Sequence, residues 1–244
     1  MKPQTALIVL PPDTARHLIG RAVAELPQLK RAMVNGRIII AGGGTTRHVV
    51  QSLLGEDPGH AAFSIGWIQG GAFAETPVKS RGPGPYLIEH SHVSRGWPGP
   101  LLEQFEAGDI YIKSGNAIDA EGNVGILLGS PVGGGIGSAL PIIYARGAEL
   151  IIPISLTKLV PSIPAIGGKL GQQRLSQATG APLGYMPIMA GFATVVTELD
   201  AIRILYDLTA TMVASGGAED CEGAVTLHVA GSAEKIGKLM KAIG

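Results

Sequence analysis

The residues with the clearest chemical potential lie in Gly36 to Leu54, GRIIIAGGGTTRHVVQSLL. The pattern predicts a buried strand (Arg37 to Ala41), a turn of three glycines (Gly42, Gly43, Gly44) and a helix opened by Thr45 and Thr46. Glycines permit a tight turn and let a ligand approach the backbone closely. A helix start presents unpaired N–H groups and the positive end of the macrodipole. Together these form a site for an anion such as phosphate or carboxylate. Thr45 and Thr46 add hydroxyls, and Arg47 adds a cation. The plainer alternative is that the glycines only turn the chain and Thr45 is an ordinary N-cap.

A second stretch is GDIYIKSGNAIDAEGNVGILLGSPVGGGIGSALPIIYARG, from Gly108 to Gly147. A strand over Asp109 to Lys113 delivers Ser114, Gly115 and Asn116. A loop then carries Asp119, Glu121 and Asn123, and Val124 to Leu128 returns as a strand. A second glycine cluster (Gly133, Gly134, Gly135, Gly137) opens a helix over Ser138 to Ala145. A further strand, Ala148 to Ser155, ends near Thr157 and Lys158. In a parallel sheet the C-terminal strand ends share one edge, and ligands bind there. Both glycine turns are therefore expected to face one crevice. Gly133 to Gly137 either hold a second anionic end of the ligand or only let a helix pack closely on the sheet.

Positioning these groups falls to the elements around them. Thr5 to Leu10 is expected as a strand stopped by Pro11 and Pro12. A helix from Asp13 or Thr14 runs to about Val34 and closes at Asn35-Gly36 as a left-handed cap. With the glycine-turn unit this makes a β-α-β-α rhythm, which suggests a parallel sheet flanked by helices. Ala62 to Ile68 reads as another strand. Residues Gln69 to Pro100 are rich in Gly and Pro, with a short strand at Tyr86 to Glu89. There Trp67, Phe73, Tyr86 and Trp97 either line a cleft or pack. His90 and His92, at i and i+2, would share one face of a strand, but no third metal ligand accompanies them. Short helices are expected at Leu101 to Phe105 and Gln172 to Thr179. The tail reads as strand Phe192 to Thr197, helix Leu199 to Ser215, strand Gly223 to Val229 and helix Ala233 to Ile243. The expected fold class is α/β: a three-layer α/β/α domain with a mostly parallel sheet over residues 1–184, and a small C-terminal α+β lobe over 185–244, either separate from or integrated with the main domain.

Composition narrows the function classes. With 45% hydrophobic residues in 244, the chain can bury a sizeable core. Nineteen basic and nineteen acidic side chains balance, so nothing draws the whole protein to nucleic acid or an anionic membrane. The single cysteine, Cys221, excludes an intrachain disulfide and a thiolate metal cluster. The start, MKPQTALIVLPPD, lacks the pattern of a secretory signal, and no stretch approaches the length of a membrane span. A cytoplasmic address is expected, and no metal or tightly held cofactor is required.

Residues 36–55 and 108–160 together resemble the superfamily of ribose-5-phosphate isomerase, glucosamine-6-phosphate deaminase and CoA transferases. The strand-GGGTT-helix unit is similar to the phosphate-binding turn of the sugar-phosphate isomerases. DIYIKSGNAIDAEGNVGILLGS is similar to the strand and loop that present an acidic residue to the sugar in methylthioribose-1-phosphate isomerase. Ser155 to Lys158 resembles the strand followed by Ser-Lys in ribose-5-phosphate isomerase. Ser114-Gly115-Asn116 departs from the acidic Gly-Ala-Asp element of that family, and the nearest acid is Asp119.

The resemblance implies that the chain binds, and isomerises or otherwise transforms, a small phosphorylated or carboxylated metabolite. Gly42 to Thr46 would hold a phosphate. Asp119 or Glu121 would be the general base. Lys158 would stabilise a developing enolate, and Asn116 and Asn123 would orient hydroxyls. A CoA-transferase alternative makes Glu121 a nucleophile that forms a thioester. A third alternative is a non-catalytic sensor of small anions. By analogy, a homo-oligomer is expected.

Overall fold

Proline and paired glycines cut the chain into short elements. A computed structural model describes residues 4–244. The chain begins with β1 (Gln4–Leu10), α1 (Pro12–Ala24) and α2 (Pro27–Asn35). The expected single helix over this region breaks because Pro27 disfavours helical backbone at Leu26, which is extended (φ −60°, ψ 127°). Gly36 is also extended (φ −134°) and not a left-handed cap. Then come β2 (Arg37–Ile40), α3 (Gly44–Leu54) and α4 (His60–Phe63).

Two hairpins come next: β3 (Gly66–Gln69) with β4 (Ala72–Glu75), and β5 (Tyr86–Glu89) with β6 (His92–Arg95). After them are α5 (Gly99–Leu102), β7 (Ile110–Ile112), β8 (Ala117–Ile118), β9 (Val124–Leu128), α6 (Gly134–Arg146) and β10 (Glu149–Pro153). The chain closes with β11 (Gly184–Ile188), β12 (Thr194–Val196), α7 (Glu198–Tyr206), β13 (Thr209–Gly216), β14 (Ala224–Gly231) and α8 (Ala233–Ile243).

The expected fold class is corrected by the strand pairing. Among the described residues the strands fall into four sheets, ordered β12-β10-β7-β2-β5-β6, β1-β14-β13, β11-β9-β8 and β3-β4. Parallel pairing is confined to β2–β7, β7–β10 and β10–β12. Every other ladder between these strands is antiparallel. The chain is thus a mixed α/β protein of several small, mostly antiparallel sheets, not a three-layer α/β/α fold on a parallel sheet.

The reason lies in the loops. Two-residue connections join only antiparallel strands, whereas a parallel pair needs a long crossover. Gly70 and Gly71 (φ 59° and 77°) close β3–β4, and His90 and Ser91 (φ 46° and 68°) close β5–β6. His90 is therefore a turn residue, not a strand neighbour of His92.

Other expectations also shift. Residues 62–68 divide between α4 and β3, and Gln172 to Thr179 form no helix. The expected helix Leu199 to Ser215 stops at Tyr206, where Asp207 turns left-handed (φ 50°), and β13 succeeds it as a strand. Of the two arrangements expected for the tail, the strand pairing matches the integrated one: β11 pairs with β9, β12 with β10, and β14 with the N-terminal β1. No helix of the described residues is long and apolar enough to cross a membrane.

The central strands of the six-stranded sheet, β2, β7 and β10, are buried on both sides. Strand alternation sends Ile38, Ile40, Ile110, Ile112 and Ile151 into one core, which also contains Leu18 and Ile19 of α1, Val49 and Val50 of α3, and Ala201 and Ile202 of α7. Ile39, Tyr111, Leu150 and Ile152 join Ile136, Ala139 and Ile143 of α6 in the other. Such strands must be aliphatic throughout, and each fully buried isoleucine contributes about 1.5–3 kcal/mol. This holds β2, β7 and β10 side by side with their C-terminal ends on one edge.

Candidate functional site

The segments leaving those three strand ends enclose a cleft of about 410 Å³. After β2 come Ala41 to Gly44; after β7 come Lys113 to Asn116; beyond β10 comes Lys158, in a single 3-10 turn (Leu156–Lys158). The start of α6, Gly133 to Ile136, closes the opposite side.

The glycine turn fits by close approach. A side chain at Gly42 would overlap the carbonyl oxygen of Phe63. The Thr46 hydroxyl donates to the Ala41 carbonyl (2.7 Å) and lies 3.1 Å from that of Gly43, so it ties the turn from inside. Thr45 and Thr46 are buried, and neither lines the cleft. Arg47 points elsewhere and is paired with Asp57 (Nε to Oδ1, 2.6 Å). The anion-binding expectation for this turn therefore contracts to the backbone of Gly42, Gly43 and Gly44. No side chain caps the N-terminus of α3. Its first N–H groups and the positive end of its dipole lie at the cleft. The same holds for α6, whose N-cap Gly133 is left-handed (φ 79°) and supplies no side-chain cap. Gly133, Gly134 and Gly135 all line the cleft.

Two lysines complete the floor. The Lys113 N–H donates to the Ile151 carbonyl (3.1 Å) and so continues the β7 ladder. Alternation then puts its side chain on the same side as Tyr111, and both line the cleft. Lys113 is half-buried, its ammonium meets no acceptor among the described residues, and burial pulls its pKa down. Lys158 donates from Nζ to the Gly115 carbonyl (2.7 Å). Burial, then the charges of Arg16 and Lys113, bring its pKa down to about 8 against the pull of Glu198. Glu198 is fully buried and accepts from the Ser155 hydroxyl and the Leu156 N–H (2.9 Å), while desolvation raises its pKa. Tyr111 is 1% exposed, its hydroxyl has no hydrogen-bond partner among the described residues, and burial pushes its phenol above the ordinary range.

The acidic loop lies apart from this cleft. Asp119 is buried and accepts from the N–H groups of Glu121 (3.1 Å), Asn123 (3.0 Å) and Ile163 (2.9 Å) and from the Asn123 amide (3.0 Å). Desolvation alone would raise its pKa, but these bonds outweigh it and hold the carboxyl below its usual range. Asn123 also accepts from the Ala190 N–H (2.9 Å). Asp119 and Asn123 thus clasp three segments of the chain, and neither touches the cleft. Glu121 is exposed and also outside it. The expected general base and thioester nucleophile are therefore removed from the site. Asn116 does line the cleft, with its Oδ1 occupied by the Leu127 N–H (3.0 Å).

Glu75 is the one carboxylate among the described lining residues, and it is paired with Arg81 (2.8 Å). The mouth is apolar, with Ile65, Phe73 and Trp97; Trp97 is 74% exposed. The described residues contain no group of three or more His, Cys, Asp or Glu side chains placed to hold a metal ion.

Lys113 and Tyr111 are cleft residues that sequence reasoning does not single out. A signal for them exists: both sit at the C-terminal end of a strand that enters the shared edge. Comparison of the chain with protein-family models, with curated proteins and with solved structures gives no match.

Proposed function

We propose that this cleft binds a small phosphorylated or carboxylated metabolite. The observation that carries this reading is the convergence of two uncapped helix N-termini and two lysines on one cleft of about 410 Å³. N–H donors and the charge of Lys158 dominate its floor, and such a surface is complementary to an anion. The apolar mouth suits the carbon skeleton of the ligand. The isomerase chemistry implied by the resemblance needs a base within reach of the substrate. Asp119 is outside the cleft and saturated with hydrogen bonds, so any transformation passes to groups that line it.

The test is thermal stabilisation by inorganic phosphate, pyrophosphate and small carboxylates. A ligand at a hundredfold its Kd stabilises by about 2.7 kcal/mol. Gly44→Asp places a carboxylate at the start of α3, where a Cβ meets only His60 Nε2 at 3.7 Å. The variant is expected to fold, because an acid suits a helix N-terminus, and to lose the stabilisation by anions. An unchanged response to anions in this variant would remove the reading.

A further inference from the structure

We propose that Lys113 is an amine nucleophile that condenses with the carbonyl carbon of an oxo-acid or oxo-phosphate seated in the cleft. This rests on the anion-binding reading above and deepens it by naming the ligand's second functional group.

The surroundings of the amine set its reactivity. Lys113 stands at the end of β7 on the cleft floor, and its side-chain amine finds no acceptor among the described residues. Its neighbours do not compensate its charge. Lys158 lines the same cleft and adds a second cation. The buried Glu198 carboxylate is occupied by Ser155 and Leu156, and Glu75 is occupied by Arg81. A lysine that is desolvated and set beside another cation is activated as a free amine, and burial acts on Lys113 in that direction. Lys158 is the poorer nucleophile of the two, because its amine is held by the Gly115 carbonyl. The Tyr111 hydroxyl, on the same side of the strand and without a partner among the described residues, is free to donate to the carbonyl oxygen.

The step balances without an oxidant. The Lys113 lone pair forms a C–N bond as the C=O π bond opens, and the oxygen takes a proton. The carbinolamine then loses its hydroxyl as water with a second proton, leaving a C=N bond. The net change is amine plus carbonyl giving imine plus water. The protonated imine withdraws electrons from the adjacent carbon, so a C–H or C–C bond there becomes labile. The anionic end of the ligand, held by the helix starts, fixes which bond faces the imine.

The experiment uses the full chain, glyoxylate as the probe and sodium cyanoborohydride as the trap, read by peptide mass spectrometry. The expected result is a reduced adduct on Lys113. Near pH 8 it should form faster than on the exposed Lys79, Lys169 and Lys241, since burial of Lys113 favours its free amine. Lys113→Arg, or Lys113→Met if that variant does not fold, should abolish the rapid adduct and leave the slow ones. The wild-type peptide map decides the question without either variant. Adducts on Lys158 or the exposed lysines, with Lys113 unmodified, would overturn the proposal. Failure of the anion reading looks different: inorganic phosphate would give no stabilisation, while acetaldehyde, a neutral probe, would still label Lys113.

Discussion

Two polar clusters lie a short stretch of chain apart, and they differ in one respect. At Asp119 the carboxylate itself is saturated: three backbone N–H groups and the Asn123 amide converge on it. Around Lys113, the ammonium and the Tyr111 hydroxyl have none among the described residues, and two helix starts lack side-chain caps. Buried polar groups are normally satisfied by the protein. A saturated carboxylate of this kind holds the fold together, whereas unpartnered groups lining a cleft stay open to a ligand, as we propose for this one.

The comparison breaks most easily at Asp119. Asp119→Ala leaves buried donors without an acceptor and should cost about 4 kcal/mol in urea denaturation. Stabilisation of the folded fraction by phosphate should persist. A loss below about 1 kcal/mol would mean that the loop is not the clasp described.

The next largest effect sharpens the glycine turn. Gly42→Ala drives a methyl into the Phe63 carbonyl and should cost about 2 kcal/mol. Gly44→Ala, whose Cβ makes only an ordinary contact with His60 Nε2 at 3.7 Å, should stay within about 0.5 kcal/mol by the same measurement.

The two clusters should also separate by pH. Lys158 has a folded pKa of about 8, so its charge is lost as pH rises through that value. Phosphate affinity measured by calorimetry should fall roughly tenfold, about 1.4 kcal/mol, across this step, and Lys158→Gln should flatten it. Because this pKa is depressed from 10.5, the unfolded chain binds more protons between the two values, and Lys158 makes stability rise with pH there. Asp119 has the opposite window. Its depressed pKa contributes stability that is present above the ordinary aspartate pKa and lost as pH falls through the folded value. Acid titration of Asp119→Asn should lack that slope. The smallest effect is expected for Arg47→Ala. Its pair with Asp57 is partly exposed and worth about 0.5 kcal/mol, and phosphate affinity should not change.

Local features of the fold are legible in the sequence. The strands at Tyr86–Glu89 and Val124–Leu128 and the helix Ala233–Ile243 match their expected bounds, because apolar pattern and flanking glycines act within a few residues. The strand–glycine–helix units around Gly42 and Gly133 are readable for the same reason. Lys158 is expected near a shared edge and lies there, whereas Lys113 reads only as the last residue of a strand. The mixed sheet is not legible. β1 and β14 are separated by almost the whole chain, and their pairing leaves no local signature.

The sequence by itself determined the glycine turns after β2 and β9 and which strands are aliphatic enough to be buried on both faces. Tertiary structure alone decided which polar residues remain available. Asp119 and Lys113 look alike as charged residues beside a strand. One meets the Ile163 N–H, with Asn123 beside it bound to Ala190; the other meets no acceptor among the described residues. Hydrogen-bond saturation depends on neighbours brought together by folding, and sequence proximity carries no record of them.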